Sequence, residues 1–321
     1  GWEEIKKTSE AIEEYKIDVE VLLLHGEMSS EDQRKIFEPS SRRKVIIATN
    51  IAETSITVPG VRFVIDSGLI KQNEFNPDTG IETLSVTPHA QSGCIQRAGR
   101  AGRIASGKCF RLFTEEDFNA RQKFQTPEIQ RSNLAHVVLL MKQIGIEDIK
   151  SFEFIDPPEP QAFSQAIEVL KSLGAIDEEE NLTEIGRLMA ELPLEPRIGR
   201  MVIEAEKYNC VEQICTIAAL TGGQQKPVFM RPKDKELEAD ETHLRFKVRG
   251  SDLMSLLKVW ESYMASDYSD SWARANFLRP DTLREARQVR YQLFRILGKN
   301  GINGREHSSD YDEASIGKVA M

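Results

Sequence analysis

From Gly1 to about Thr114, short runs of β-branched and other apolar residues alternate with amphipathic stretches. That alternation predicts a parallel sheet whose strands are joined by crossover helices. Val19–Leu24, Val45–Ala48, Val61–Ile65 and Cys109–Phe113 read as the strands, nearly all apolar because both faces are expected to be covered. Between the first two, Ser29-Ser30-Glu31-Asp32 reads as a helix N-terminus, and that helix stops near Pro39. Past Thr114 the period becomes helical: Pro127 falls at a first turn, and Leu134, Val137, Val138 and Met141 share one face. A proline-rich break at Asp156–Pro160 precedes a helix that ends at Gly174, and Ala175–Thr183 has the apolar–acidic–apolar order of a small β-wing. Two helices and a wing predict a winged helix. From Glu184 onward the pattern is all helical, with a Gly, Pro and charge-rich loop at Thr221–Asp240 and long helices at Ser251–Met264 and Pro280–Leu297.

The 321 residues suffice for two to three domains, and 40% hydrophobic residues can fill their cores. With 42 Lys and Arg against 51 Asp and Glu, the formal charge is −9 and the pI about 5.3. A chain of this charge has no global basic coat, so any polyanion must be held by a local cluster of positive groups. The four cysteines, 94, 109, 210 and 215, lack paired C-x-x-C spacing, which speaks against a zinc ribbon or a disulfide scaffold and for a reducing compartment. No apolar run approaches the length of a membrane span, and the acidic, amphipathic N-terminus is unlike a signal peptide. The expectation is an intracellular protein without a membrane partner.

The densest chemistry lies in Gln96-Arg97-Ala98-Gly99-Arg100-Ala101-Gly102-Arg103. On a helix opened by Pro88 and running through this segment, Gln96, Arg100 and Arg103 stand at i, i+4 and i+7, on one face. Guanidinium forks bind phosphate oxygens in bidentate fashion, and an amide can both donate to and accept from a water. One amide and two guanidinium groups therefore suit a terminal phosphate and its attacking water. Gly99 and Gly102 cost a helix about 1 kcal/mol each relative to Ala, for which close approach of another surface is the simplest reason. The plainer alternative is a solvated basic helix.

Gly102–Cys109 mimics a phosphate-binding loop, but Cys109 replaces the magnesium-ligating hydroxyl, and a strand follows where a helix should, so this is read as a turn. Ala48–Thr57 follows a strand directly, where open parallel sheets collect ligands, and is dense in hydroxyls. It reads equally as a phosphodiester or nucleotide-sensing loop and as an ordinary capped one. Leu69–Val86 reads as a hairpin turning at Asn76–Gly80, either projecting from the domain or covering a sheet edge.

The strings HGEMS (His25–Ser29), ATNIAETSIT (Ala48–Thr57) and QRAGRAGR (Gln96–Arg103), in this order and spacing, resemble motifs IVa, V and VI of the DEAH-box, RNA helicase A-like helicases of superfamily 2. PEIQRSNL (Pro127–Leu134) resembles the opening of that family's winged helix, and LTEIGRLMAELPLEP (Leu182–Pro196) the entry to its ratchet domain. The resemblance spans about residues 1–300. It implies a second RecA-like domain over 1–114, a winged helix over 115–183, a helical ratchet over 184–300 and the start of an OB-like domain over 301–321. A first RecA-like domain, the carboxylates that hold magnesium and the first strand of the second RecA-like domain are not found in this sequence.

The implied activity is that of an ATP-driven 3′-to-5′ RNA translocase, acting in nucleus or cytoplasm, with RNA and an activating protein as partners. ATP with Mg is the implied cofactor, the metal held mainly by the first RecA-like domain, so no residue of this chain is expected to ligate it. By position, Gln96 would orient the attacking water while Arg100 and Arg103 meet the γ-phosphate. Phe37 would stack on adenine, Ser55 and Thr57 would sense the nucleotide, and the hairpin would separate strands. Thr49, Asn50, Asn276, Arg279 and Arg290 are the implied RNA contacts. Leu253 where His is usual, and Pro280-Asp281 in the last long helix, depart from the family's ratchet pattern. The alternative kept open is a non-catalytic RNA- or protein-binding module.

Overall fold

A computed structural model describes residues 2–320 except 27, 29–32, 55, 77–80, 223–226, 233–234 and 303–312. The helix start expected at Ser29–Asp32, Ser55 and most of the hairpin turn lie outside the described residues. The chain forms two compact units, Gly1–Ser132 and Asn133–Met321.

In the first unit, helix α1 (Trp2–Glu14) precedes strand β1 (Val19–Leu24), which pairs in parallel with β2 (Arg43–Ala48), Val19 opposite Arg43 and Leu24 opposite Ala48. Strand β3 (Phe63–Asp66) pairs in parallel with β6 (Lys108–Arg111). Between them in sequence, β4 (Leu69–Asn76) and β5 (Ile81–Pro88) form an antiparallel hairpin, Leu69 opposite Pro88. The parallel pairing follows the sequence pattern, but the strands make two separate ladders instead of one sheet among the described residues. Coverage also differs from the expectation of two buried faces. Val64 is half-buried, whereas Phe63, Ile65, Phe110 and Leu112 are exposed by 53–72% along one face of β3–β6, with the two Phe rings stacked at 6.4 Å.

Helix α2 (Ile51–Thr54) follows β2, and α3 (Gln91–Gly99) leads toward β6. The expected helix from Pro88 through Arg103 is shorter at both ends. Beyond Gly99 the amides of Ala101 and Gly102 reach back only three residues, to Ala98 and Gly99 carbonyls, so the helix tightens and stops where two glycines lower its propensity. Neither glycine is crowded by the rest of this chain. Gly107 is: a Cβ there would lie 2.2 Å from the Ala101 carbonyl oxygen and 2.4 Å from that of Arg62, so the turn into β6 admits no side chain. Thr114 then caps α4 (Glu115–Ala120) through the Asp117 amide at 3.1 Å.

In the second unit, α5 (Ala135–Gln143) buries Ala135, Val138, Leu139 and Met141, and α6 (Pro160–Ser172) buries Phe163, Ala166, Ile167 and Leu170. Gly174 turns the chain at φ +68°, and an antiparallel bridge between Ile176 and Leu182 makes the small wing. Thr183 caps α7 (Glu184–Glu191), followed by α8 (Pro196–Glu204) and α9 (Val211–Thr221). Every residue of α9 from Val211 to Leu220 is buried, because α11 (Asp252–Ala265) and α13 (Pro280–Lys299) enclose it with α8, while α10 (Glu236–His243) buries Ala239. Helix α12 (Asp270–Ala275) adds Ala273 to a core with Trp260, Tyr263 and Phe246, and α14 (Glu313–Ala320) adds Ile316 and Val319 to the other. Among the described residues no helix is long and apolar enough to cross a membrane.

Candidate functional site

The end of α3 and the turn after it bring Gln96, Gly99, Arg100 and Arg103 around one open depression of about 400 Å³. Gln96 and Arg103 are exposed, and Arg100 is half-buried. Although Arg103 lies beyond the helix, the tight turn keeps it on the same side. Arg100 Nη1 donates to the Ile56 carbonyl at 3.1 Å and its Nη2 to the Glu53 carbonyl, while Arg103 Nη1 donates to Thr57 Oγ1 at 2.6 Å. Both arginines are thus oriented by the segment after β2, and among the described residues neither is tied to a carboxylate. Burial, then the Arg103 charge beside it, lowers the Arg100 pKa from its ordinary value, against a smaller opposing pull from Glu53. Two adjacent cations without a carboxylate between them form a spot whose electrostatic self-repulsion an anion relieves.

Behind this depression lies a polar network that periodicity alone did not reveal. The Glu53 carboxylate accepts from His89 Nε2 at 2.9 Å and from Arg97 Nε at 3.0 Å. Arg97 Nη1 also donates to Asp66 Oδ1 and to the Leu69 carbonyl, both at 3.0 Å. Asp66 closes its own turn by accepting from the Gly68 amide at 2.9 Å. Burial works against ionised Glu53, but the hydrogen bonds and charges of His89 and Arg97 outweigh it and hold the carboxyl below its ordinary range. His89 and Asp66 are 4% and 2% exposed, so their burial depends on these partners, although Asp66 Oδ2 has no hydrogen-bond partner among the described residues. Asp66 ending a strand and a lone His between Pro88 and Ala90 were the available sequence signals.

Thr49 is half-buried and Asn50 exposed at the start of α2, their carbonyls accepting from the Ala52 and Glu53 amides. Phe37, 46% exposed, ends a short 3₁₀ turn (Lys35–Phe37). The other expected RNA contacts sit in the second unit and are engaged internally. Arg290 Nη2 donates to Glu212 Oε1 at 2.5 Å and its Nε to Thr216 Oγ1 at 2.9 Å, with the guanidinium 4.6 Å from the Phe294 ring centroid. The Arg290 side chain is only 14% exposed, so it serves to neutralise a carboxylate on the buried α9 and is not presented to a polyanion. Asn276 is 4% exposed and donates to the Trp272 carbonyl at 2.8 Å, closing the end of α12. Arg279 is half-buried and its Nε donates to the Pro227 carbonyl at 3.3 Å. Arg290 and Asn276 are thus largely buried and held by partners within the second unit. Among the described residues, no group of three or more His, Cys, Asp or Glu side chains is placed to hold a metal.

The first unit pairs parallel strands and carries an arginine-lined depression, and the second holds a small wing and a helical bundle. Comparison with known families agrees: residues 2–105 match the helicase conserved C-terminal domain, 166–194 the winged-helix part of the helicase associated domain (HA2), and 195–256 its ratchet-like part. With these three in this order, the chain belongs to the DEAH/RNA helicase A-type helicases of superfamily 2, of which it carries the C-terminal portion.

Proposed function

We propose that this chain supplies one wall of the ATP cleft of a 3′-to-5′ RNA helicase, together with its RNA-facing loop and strand-separating hairpin. The observation that carries the reading is the convergence of Gln96, Arg100 and Arg103 on one depression, each cation oriented by the segment after β2. The opposite wall comes from another RecA-like domain. The donor set fits a triphosphate: two guanidinium forks and an amide, without a competing carboxylate among the described residues. Bound magnesium would neutralise charge on the phosphate oxygens, and no residue of this chain is assigned to it.

In this reading Gln96 orients the attacking water, and Arg100 and Arg103 bind the oxygens on which charge develops as the terminal phosphoryl moves. Thr57, already bonded to Arg103, senses whether that arginine has turned to phosphate. Ser55 is assigned the same role by resemblance alone. The exposed ring of Phe37 is available to stack on adenine. Thr49 and Asn50, at the start of a helix after β2, face the RNA backbone, and Arg279 is retained as a contact. RNA and an activating protein are the partners, in nucleus or cytoplasm.

The test is Arg103→Ala in the intact helicase. RNA-stimulated ATP turnover is expected to fall by about 10³-fold or more while RNA affinity stays within a few-fold, since the contact acts in the transition state. Equal loss of both would contradict the assigned role, and salt-independent RNA binding would remove the phosphate-contacting loop from the account.

A further inference from the structure

Glu53 has two ends that face different parts of the first unit. Its carbonyl accepts from Arg100, on the side of the phosphate-facing depression. Its carboxylate points the other way, to His89 and Arg97. Arg97 continues to the Leu69 carbonyl, the first residue of β4. On its other ring nitrogen, His89 Nδ1 lies 3.1 Å from Gln125 Oε1, and Gln125 Nε2 donates to Gln72 Oε1 on β4. The Ala90 amide donates to His89 Nδ1 at 3.1 Å and to Gln125 Oε1 at 3.3 Å, bridging the ring and the glutamine amide. The ring is seated by a close approach: a Cβ at Gly93 would lie 1.9 Å from His89 Nε2, so only glycine leaves room for it one turn into α3.

We infer that His89 is a positioning residue that couples the arginine-lined depression to the β4–β5 hairpin through Glu53 on one side and Gln125–Gln72 on the other. This rests on the helicase reading above. When Arg100 and Arg103 shift toward or away from phosphate, the Glu53 backbone shifts with them, because Arg100 holds its carbonyl. The carboxylate then moves against His89 and Arg97, and both deliver the displacement to the first residues of β4. Two contacts at Leu69 and Gln72, three residues apart on one strand, set the angle at which the hairpin leaves the unit. Arg131 adds a fixed point, its Nη1 donating to the Asn73 carbonyl at 2.7 Å. His89 reaches neither nucleotide nor RNA in this arrangement, so its removal should spare the chemical step and impair what the step accomplishes.

The experiment uses the intact helicase on an RNA duplex with a 3′ overhang, measuring ATP turnover and strand separation in the same reactions. His89→Ala and Gln125→Ala should each keep turnover within about two-fold but lower strand separation per ATP by about five-fold, and the double variant should lose no more than either single. His89→Gln, which keeps a donor toward Glu53, should fall between wild type and His89→Ala. Losses that multiply in the double variant, turnover and separation falling in proportion alongside a lowered melting temperature, or unchanged coupling in folded variants would each overturn the relay. If wild type itself shows no ATP-driven strand separation, the helicase reading falls first and takes the relay with it, so the two failures are told apart.

Discussion

Replacing Arg290 by Met removes a guanidinium from the interior of the second unit while preserving most of its apolar stem. The Glu212 carboxylate, 10% exposed, loses the cation 2.5 Å away, and Thr216, 2% exposed, loses the donor to its hydroxyl. Breaking a buried ion pair from one side costs about 3–5 kcal/mol, because the remaining charge keeps its desolvation penalty. For a unit of this size each kcal/mol moves the melting temperature by roughly 2–4 °C, so a fall of roughly 6–20 °C is expected in thermal unfolding followed by circular dichroism. Adding Glu212→Leu should recover most of that loss, since an apolar pair of similar volume removes the buried carboxylate that has lost its arginine. RNA affinity, measured by filter binding well below the transition, should stay within about two-fold, because the side chain is turned away from solvent. A variant with unchanged stability and RNA affinity lowered about ten-fold would refute the structural assignment of Arg290 and restore it as a phosphate contact.

Two further outcomes follow from the environments of buried groups. Glu53 is held below its ordinary carboxyl range, so its contribution to stability is present above the unfolded value and lost as pH falls through the folded one. The stability difference between wild type and Glu53→Gln should therefore shrink as pH drops below about 4.5 in pH-dependent denaturant titrations, and a difference independent of pH would show that the fold does not hold this carboxyl below its ordinary range. Burial pushes the Cys215 thiol up to about 12, so it should resist a disulfide-exchange reagent in the native state and react on unfolding. Prompt native-state labelling of Cys215 would contradict the packing of α9.

Much of the architecture is legible in local pattern. Val19–Leu24 is a strand with those bounds, the acidic turn after Ile176 does make a wing, and Pro160 and Pro280 open the helices that follow them. These features depend on periods and on residues with few backbone options, which a sequence displays directly. The end of α3 was harder, since Gln96, Arg100 and Arg103 fit helical spacing and only the weak propensity of two glycines argues for stopping at Gly99. Glu53, His89, Arg97 and Asp66 meet across loops and strands with no period to announce them, so the polar network behind the depression stayed hidden. Arg290, expected as an RNA contact from the resemblance, pairs with Glu212, 78 residues away on the buried α9, a long-range partner that no local pattern displays.

The most direct measurement is a structure of the intact helicase with a nucleoside diphosphate and a planar metal-fluoride mimic of the moving phosphoryl group. The account predicts Arg100 and Arg103 guanidinium nitrogens within about 3 Å of the fluorides, Arg103 released from Thr57, and the Gln96 amide on the water opposite the leaving oxygen. Arginines that stay on Thr57 and on the Glu53 and Ile56 carbonyls, with the mimic held entirely by other residues, would contradict it.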